Sequence, residues 1–254
     1  MSFLTGFFAV FFYVATFIFI AFTGYKIVQY VRTPAPLKIP AMPAPLTQGG
    51  VVVRLIKEVV LFYSLFRSNK WIWLFGWVFH FSLFLVLLRH FRYFLDLSNP
   101  IWFWVPLIQP FGKYASFTMI IGLTGLLIRR IYVERHKYIS SPSDYLHLIL
   151  LLFIAFSGCM MTFVVHTDIV QLKAFIQGAI TFGLTSTGWQ PIPASPILFL
   201  HLTAVFLLMI VFPFSKLLHA PGVFFSPTRN QVDNAREKRH IAPWAAKLDA
   251  TRQP

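Results

Sequence analysis

Four histidines, His80, His90, His201 and His219, stand in or at the edge of two strongly apolar stretches of this chain, two on each. An imidazole left without a partner in hydrocarbon is costly, so ionisable side chains inside a membrane-spanning segment mark function. Neutral imidazole is also a common axial ligand of haem iron. Two histidines on each of two helices is the arrangement that holds two haem groups, one above the other, between those helices.

Helix geometry sets how the four can cooperate. Ten residues turn an α-helix through about 1000°, so His80 and His90 project within about 80° of each other. Eighteen residues make five full turns, so His201 and His219 share one face. The two stretches run antiparallel, which pairs His80 with His219 toward the cytoplasm and His90 with His201 toward the outside. The two intervals rise by about 15 Å and about 27 Å. Tilt, a kink at Pro213 or differently inclined haem planes must absorb that difference. The chain therefore reads as a membrane cytochrome b with bis-histidine haem.

Arg89 and Arg92 flank His90. Their forked donors suit the carboxylates of haem propionates; the alternative is snorkelling to outer headgroups. Of the remaining histidines, His136 and His240 lie in basic segments and read as surface residues. His166 stands beside Asp168 at the end of an apolar stretch, and His147 near the start of the same stretch.

The elements that must position these groups are helices. Residues are 57% apolar and only 12% charged, and 30 of 254 are phenylalanine, which places the chain in the membrane class. Five apolar runs are long enough to span: Phe3–Tyr25, Trp71–Leu95, Tyr114–Ile128, Tyr145–Val165 and Pro196–Leu218. The expected fold is an all-α integral membrane protein, one membrane domain over residues 1–254, with two haems stacked between helices 2 and 5. The first run has no basic segment or small-residue cleavage site before it, so it is expected to stay as a helix.

The net charge of +14 is a matter of topology. All but four of the 22 lysines and arginines fall between runs one and two, between three and four, or in the last turn of run five and beyond it. The exceptions are Arg89, Arg92, Lys113 and Lys173. By the positive-inside rule the N-terminus lies outside and the C-terminus in the cytoplasm. Nucleic acid is excluded as the reason for the charge, and a cytoplasmic (inner) membrane location follows. The single cysteine, Cys159, rules out an intrachain disulfide and any four-cysteine iron–sulfur or zinc site within the chain.

Between the runs, residues 33–70 are expected on the cytoplasmic side. Thr33–Gly50 holds five prolines and reads as an irregular loop. Val51–Ser68 reads as an amphipathic helix, lying along the inner interface or packed on a partner. Leu97–Lys113 reads as a Trp- and Pro-rich outer loop, and Asp168–Leu184 as a short outer helix. The tail, residues 220–254, is polar and basic and reads as a partner-binding or weakly ordered strap.

The last run carries His201–Leu202 and then Phe212–Pro213–Phe214–Ser215–Lys216–Leu217–Leu218–His219; the second carries Phe79–His80 and His90–Phe91. In these residues, in the ten and eighteen spacings and in the five-run layout, the chain resembles the gamma (cytochrome b) subunit of respiratory nitrate reductase. The front third departs from that subunit, with a longer connection between runs one and two. There Pro36–Leu37–Lys38–Ile39–Pro40, Pro43–Ala44–Pro45 and the run from Leu61 to Trp71 look like one branch of the family. That branch is the DsrM-type cytochrome b subunit of the transmembrane complex associated with dissimilatory sulfite reductase. Phe75–Gly76–Trp77 and Leu87–Leu88–Arg89–His90 extend the likeness.

The resemblance implies two b-type haems, exchange of electrons with menaquinone or a related quinone, and a cytoplasmic iron–sulfur partner resembling heterodisulfide reductase. It also implies further membrane and periplasmic electron-transfer subunits, with the sulfur chemistry on a partner. Lys113 occupies roughly the neighbourhood of a lysine that the nitrate reductase relatives have near the outer haem, and so becomes the candidate quinone contact. The alternatives are the gamma-type subunit of another respiratory oxidoreductase, a haem-free transporter, or a structural anchor for cytoplasmic subunits. The chain has no acidic residue deep in any run and no internal repeat, which argues against a transporter.

Overall fold

The computed structural model describes residues 2–35, 37–95, 99–184, 188–235, 237, 241, 245, 246 and 248. His240, the first two residues of the expected outer loop (Leu97 and Ser98) and the end of the tail lie outside the described residues. The elements in chain order are α1 (Phe3–Arg32), α2 (Gln48–Leu61), α3 (Tyr63–Ser68), α4 (Lys70–His90), α5 (Trp104–Tyr132), α6 (Glu134–Ile139), α7 (Pro142–Phe163), α8 (Ile169–Ile180), α9 (Pro196–Val211), α10 (His219–Gly222) and α11 (Pro227–Asn230), with short 3-10 turns between some of them. No strand occurs among the described residues. Five helical segments are long and apolar enough to cross a membrane: Phe3–Arg32, Lys70–Tyr93, Trp104–Tyr132, Pro142–Phe163 and Pro196–Phe214. The architecture is that of an all-α integral membrane protein.

The chain divides into two compact units, Met1–Phe19 with Asn69–Val211, and Ile20–Ser68 with Phe212–Pro254. In the first, α4 packs along α5, α5 along α7, and α7 along α9. Two spans can approach closely only where side chains are small. Gly112 and Gly122 provide this on α5: a Cβ at Gly122 would lie 2.9 Å from the backbone nitrogen of Phe79, and one at Gly112 would lie 2.8 Å from the carbonyl oxygen of Leu85. A hydroxyl pair, Ser82 and Thr118 at 2.6 Å, bridges the same interface. Phe79, Met119, Leu123, Leu151 and Ala155 form one core across α4, α5 and α7. A second core joins the start of α1 to α8 and α9 through Phe8, Phe175, Leu198 and Phe206.

The third span starts earlier than the sequence pattern predicts. Residues 104–113, expected as outer loop, are the first turns of α5. Pro106 falls in the opening turn, where its missing N–H costs nothing, and Pro110 sits inside the helix. Apolar spans tolerate such prolines because neighbouring helices re-satisfy the freed backbone groups. Lys113 accordingly projects from a helix and not from a loop.

In the second unit the expected helix Val51–Ser68 is two helices. Phe62 takes a left-handed conformation (φ 49°), and its amide donates to the Lys57 carbonyl, which ends α2 and starts α3. Glu58 accepts from the backbone and hydroxyl of Ser64, at 3.2 and 2.7 Å, and pairs with Arg229 at 2.8 Å. The first part of the tail is a docked strap. Ala41 donates to the Thr228 carbonyl and Asp233 to the Pro45 carbonyl, both at 2.8 Å, and the Gln231 side chain bonds Ile39 and Leu37.

Candidate functional site

Each predicted histidine is oriented through Nδ1. On α4, His80 Nδ1 lies 2.7 Å from the Gly76 carbonyl and His90 Nδ1 lies 2.6 Å from the Val86 carbonyl. A carbonyl only accepts, so Nδ1 carries the hydrogen in both rings, and in the neutral ring Nε2 then carries the lone pair. On α9, His201 is buried, and its Nδ1 lies 2.8 Å from Ser157 Oγ. Ser157 spends its one hydroxyl hydrogen on the Phe153 carbonyl at 2.7 Å, so Oγ accepts from the imidazole. Gly158 leaves room for the ring, since a Cβ there would stand 3.3 Å from His201 Cε1. His219 Nδ1 donates to the Lys216 carbonyl at 2.9 Å.

This tautomer is the one an Nε2 ligand needs, with Nδ1–H held by an outer acceptor. The bond alone does not select the four, because His147 makes the same contact with the Ser143 carbonyl at 2.5 Å. What distinguishes His90 and His201 is the surroundings: Arg89 and Arg92 stand beside the first, and the second is buried against Ser157 on a different span of the same unit. Their helices are joined through α5 and α7 and not by an extensive packed face of their own. Among the described residues no group of three or more His, Cys, Asp or Glu side chains could hold a bare metal ion. Two imidazoles suffice for an iron whose other four donors come from a macrocycle, so this donor set fits haem.

The eighteen residues from His201 to His219 are not one helix. α9 ends at Val211, a 3-10 turn covers Phe212–Phe214, Ser215 is extended (φ −118°, ψ 172°), and a second 3-10 turn leads into α10. The cause is local. Pro213 has no N–H to continue the ladder, and Ser215 Oγ caps the next turn through the Leu217 amide. The continuous five-turn helix assumed for His201 and His219, and with it the straight-rod premise of the mismatched rises, therefore does not hold. His219 belongs to the second unit, where it is exposed and lines a cavity of about 520 Å³ with Tyr30, Ser215, Lys216 and Ser226.

Arg89 and Arg92 converge on a residue the sequence reading missed. Arg89 Nε and Arg92 Nη1 both donate to Gln109 Oε1, at 3.3 and 3.1 Å, while Gln109 Nε2 donates back to the Arg89 carbonyl at 3.2 Å. Arg89 Nη1 also reaches Thr162 at 3.4 Å, and Arg92 Nη2 reaches the Tyr93 hydroxyl at 3.0 Å. Two guanidinium charges thus share one neutral amide oxygen, and neither pairs with a carboxylate among the described residues. Arg92 Nε is buried with no hydrogen-bond partner. Such a cradle fits the propionates of a haem ligated at His90. Gln109 was legible only as a polar residue in a stretch taken for loop; Ser157 gave no signal at all.

Lys113 is half-buried one turn beyond Gln109, its Nζ 5.2 Å from the Phe163 ring centre and 5.9 Å from that of Tyr114. Outside the spans, burial and then the charges of Arg129, Arg130 and Arg135 push the His136 imidazole below its ordinary value.

Residues 63–235 match the model of the nitrate reductase gamma subunit family, a range holding all four histidines, both arginines and Lys113. The chain is 34% identical to the Hdr-like menaquinol oxidoreductase cytochrome b-like subunit of Archaeoglobus fulgidus, over 91% of this chain and 81% of that protein. It is 31% identical to the protein of the same description from Archaeoglobus profundus, over 91% and 80% of the two chains.

Proposed function

The chain belongs to the nitrate reductase gamma subunit family, and from that premise we propose that it is the cytochrome b subunit of a membrane quinol oxidoreductase. It carries two b-type haems and passes electrons from a menaquinol-type donor to a cytoplasmic iron–sulfur partner. The observation that carries this reading is the pair His90 and His201: two imidazoles on spans of one unit, each committed through Nδ1, with two arginines beside one of them that pair with no carboxylate among the described residues. When bound, each haem supplies a one-electron centre whose potential follows from its axial ligands, nearby charge and burial.

The rest is the work of the chain's own residues. The Val86 carbonyl and the Ser157 hydroxyl hold the two rings in the tautomer that offers Nε2. Arg89 and Arg92, held together by Gln109, would bind and neutralise the propionates. Lys113 donates a hydrogen bond to a quinone oxygen from its seat against Phe163. His80 and His219, read from the sequence, ligate the second haem. Quinol oxidation releases two electrons and two protons; with the topology that the basic loops imply, the protons leave outside and the electrons go to the cytoplasmic partner. The names of the two archaeal relatives support a heterodisulfide-reductase-like partner. The front-third motifs support dissimilatory sulfur metabolism as the setting.

The test is haem per polypeptide, by pyridine haemochrome and dithionite-reduced spectra of the purified chain. Two b haems are expected, and one after His90→Ala or His201→Ala. Full retention in either variant, or no haem in a folded, haem-supplied preparation, would overturn the reading.

A further inference from the structure

At the other end of α4 and α5 lies a groove that the electron-transfer reading does not use. Its volume is about 280 Å³, and it is lined by Trp71, Phe75, Gly125, Ile128, Arg129 and Tyr132. The walls are apolar and the one charged residue is Arg129. Glycine keeps the floor open: a Cβ at Gly125 would lie 2.3 Å from the Phe75 ring, so any larger residue would drive that ring out of place.

Two arginines stand here, and their charges are treated differently. Arg130 is neutralised by Asp144 at 3.2 Å and also bonds Ser140 at 2.8 Å. Among the described residues the Arg129 side chain bonds the His136 ring alone, Nη2 to Nε2 at 3.0 Å, which requires that imidazole to be an acceptor and therefore neutral. Among the described residues the Arg129 charge is thus left without an anion, and its Nε is buried with no hydrogen-bond partner. Arg135 and Lys137 add exposed positive charge nearby, against Glu134.

We propose that this groove binds an anionic phospholipid, an acyl chain lying between Trp71, Phe75, Ile128 and Tyr132 and the phosphate meeting Arg129. Three properties select this occupant. The groove is apolar, it opens at the end of a membrane span, and it presents a cation lacking a counter-charge. A neutral quinone would leave that charge uncompensated. A zwitterionic lipid brings its own cation to an already positive cluster.

Native mass spectrometry of the delipidated full-length chain, in neutral detergent, tests this with dioleoylphosphatidylglycerol and dioleoylphosphatidylcholine as probes. The first phosphatidylglycerol is expected to bind roughly fivefold or more tightly than phosphatidylcholine. Arg129→Gln removes the preference, Arg129→Lys keeps it, and Lys137→Gln on the exposed surface keeps it. Ile128→Trp fills the groove without changing charge and lowers binding of both lipids, which guards against a general effect of Arg129→Gln on folding. Equal affinity for the two lipids, a preference that survives Arg129→Gln, or displacement of the lipid by inorganic phosphate or by a soluble menaquinone analogue would overturn the proposal.

Discussion

Two arginine pairs in the first unit, Arg89 with Arg92 and Arg129 with Arg130, differ in what the chain provides to meet them. At the Arg129 end one guanidinium is matched by a buried carboxylate, Asp144, and the other by a neutral imidazole. At the Arg89 end both guanidiniums share one amide oxygen and no carboxylate is present among the described residues. A buried charge is expensive unless it is paired. Two adjacent cations left unmatched by the described residues form a site preorganised for an anion. One end is thus largely self-neutralised with a single cation in reserve, and the other holds its whole charge in reserve, beside the histidine read as an iron ligand.

The largest effect that would break this comparison comes from the histidines. His201→Ala should reduce the haem content from two to one per chain and leave Arg89 and Arg92 without their anion; quantitative haem analysis decides it. Next, Asp144→Ala removes both the Arg130 partner and the acceptor for the Ser141 amide at the start of α7. It should cost about 1–3 kcal/mol, seen as a lower thermal midpoint with unchanged haem content.

Arg92→Gln should lower the midpoint potential of one haem, because losing a nearby positive charge favours the oxidised form. A unit charge some 15 Å away at an effective dielectric near 20 gives about 1 kcal/mol, or roughly 50 mV. Arg129→Gln should leave both potentials in place, and a redox titration that shifted equally in the two variants would erase the distinction.

The smallest effect is a pH dependence from His136. Its imidazole is held below its ordinary value in the fold, so the unfolded chain binds more protons. The contribution is complete above about pH 6.5 and is lost as the pH falls through that value toward the lower folded one. A modest fall in the thermal midpoint on acidification is expected, and it should vanish in His136→Gln.

The sequence by itself determined the membrane class, the five spans and the identity of the chemically interesting side chains. Hydrophobic run length is set by bilayer thickness, and an imidazole or guanidinium in such a run is conspicuous against hydrocarbon. It did not determine where helices stop. Phe62 breaks the amphipathic helix by taking φ 49°, and α5 continues through Pro110. The stretch from Pro213 to Ser215 divides what spacing alone treats as five turns. Each of these depends on which distant groups satisfy the freed backbone atoms.

Nor did it reveal Gln109 and Ser157, ordinary polar residues whose roles exist only because α5 meets Arg89 and α7 meets His201. The partition of charge was likewise decided in three dimensions. Whether an arginine has its own carboxylate or waits for another anion depends on which side chains lie within about 3 Å of it, and residues distant in the chain settle that.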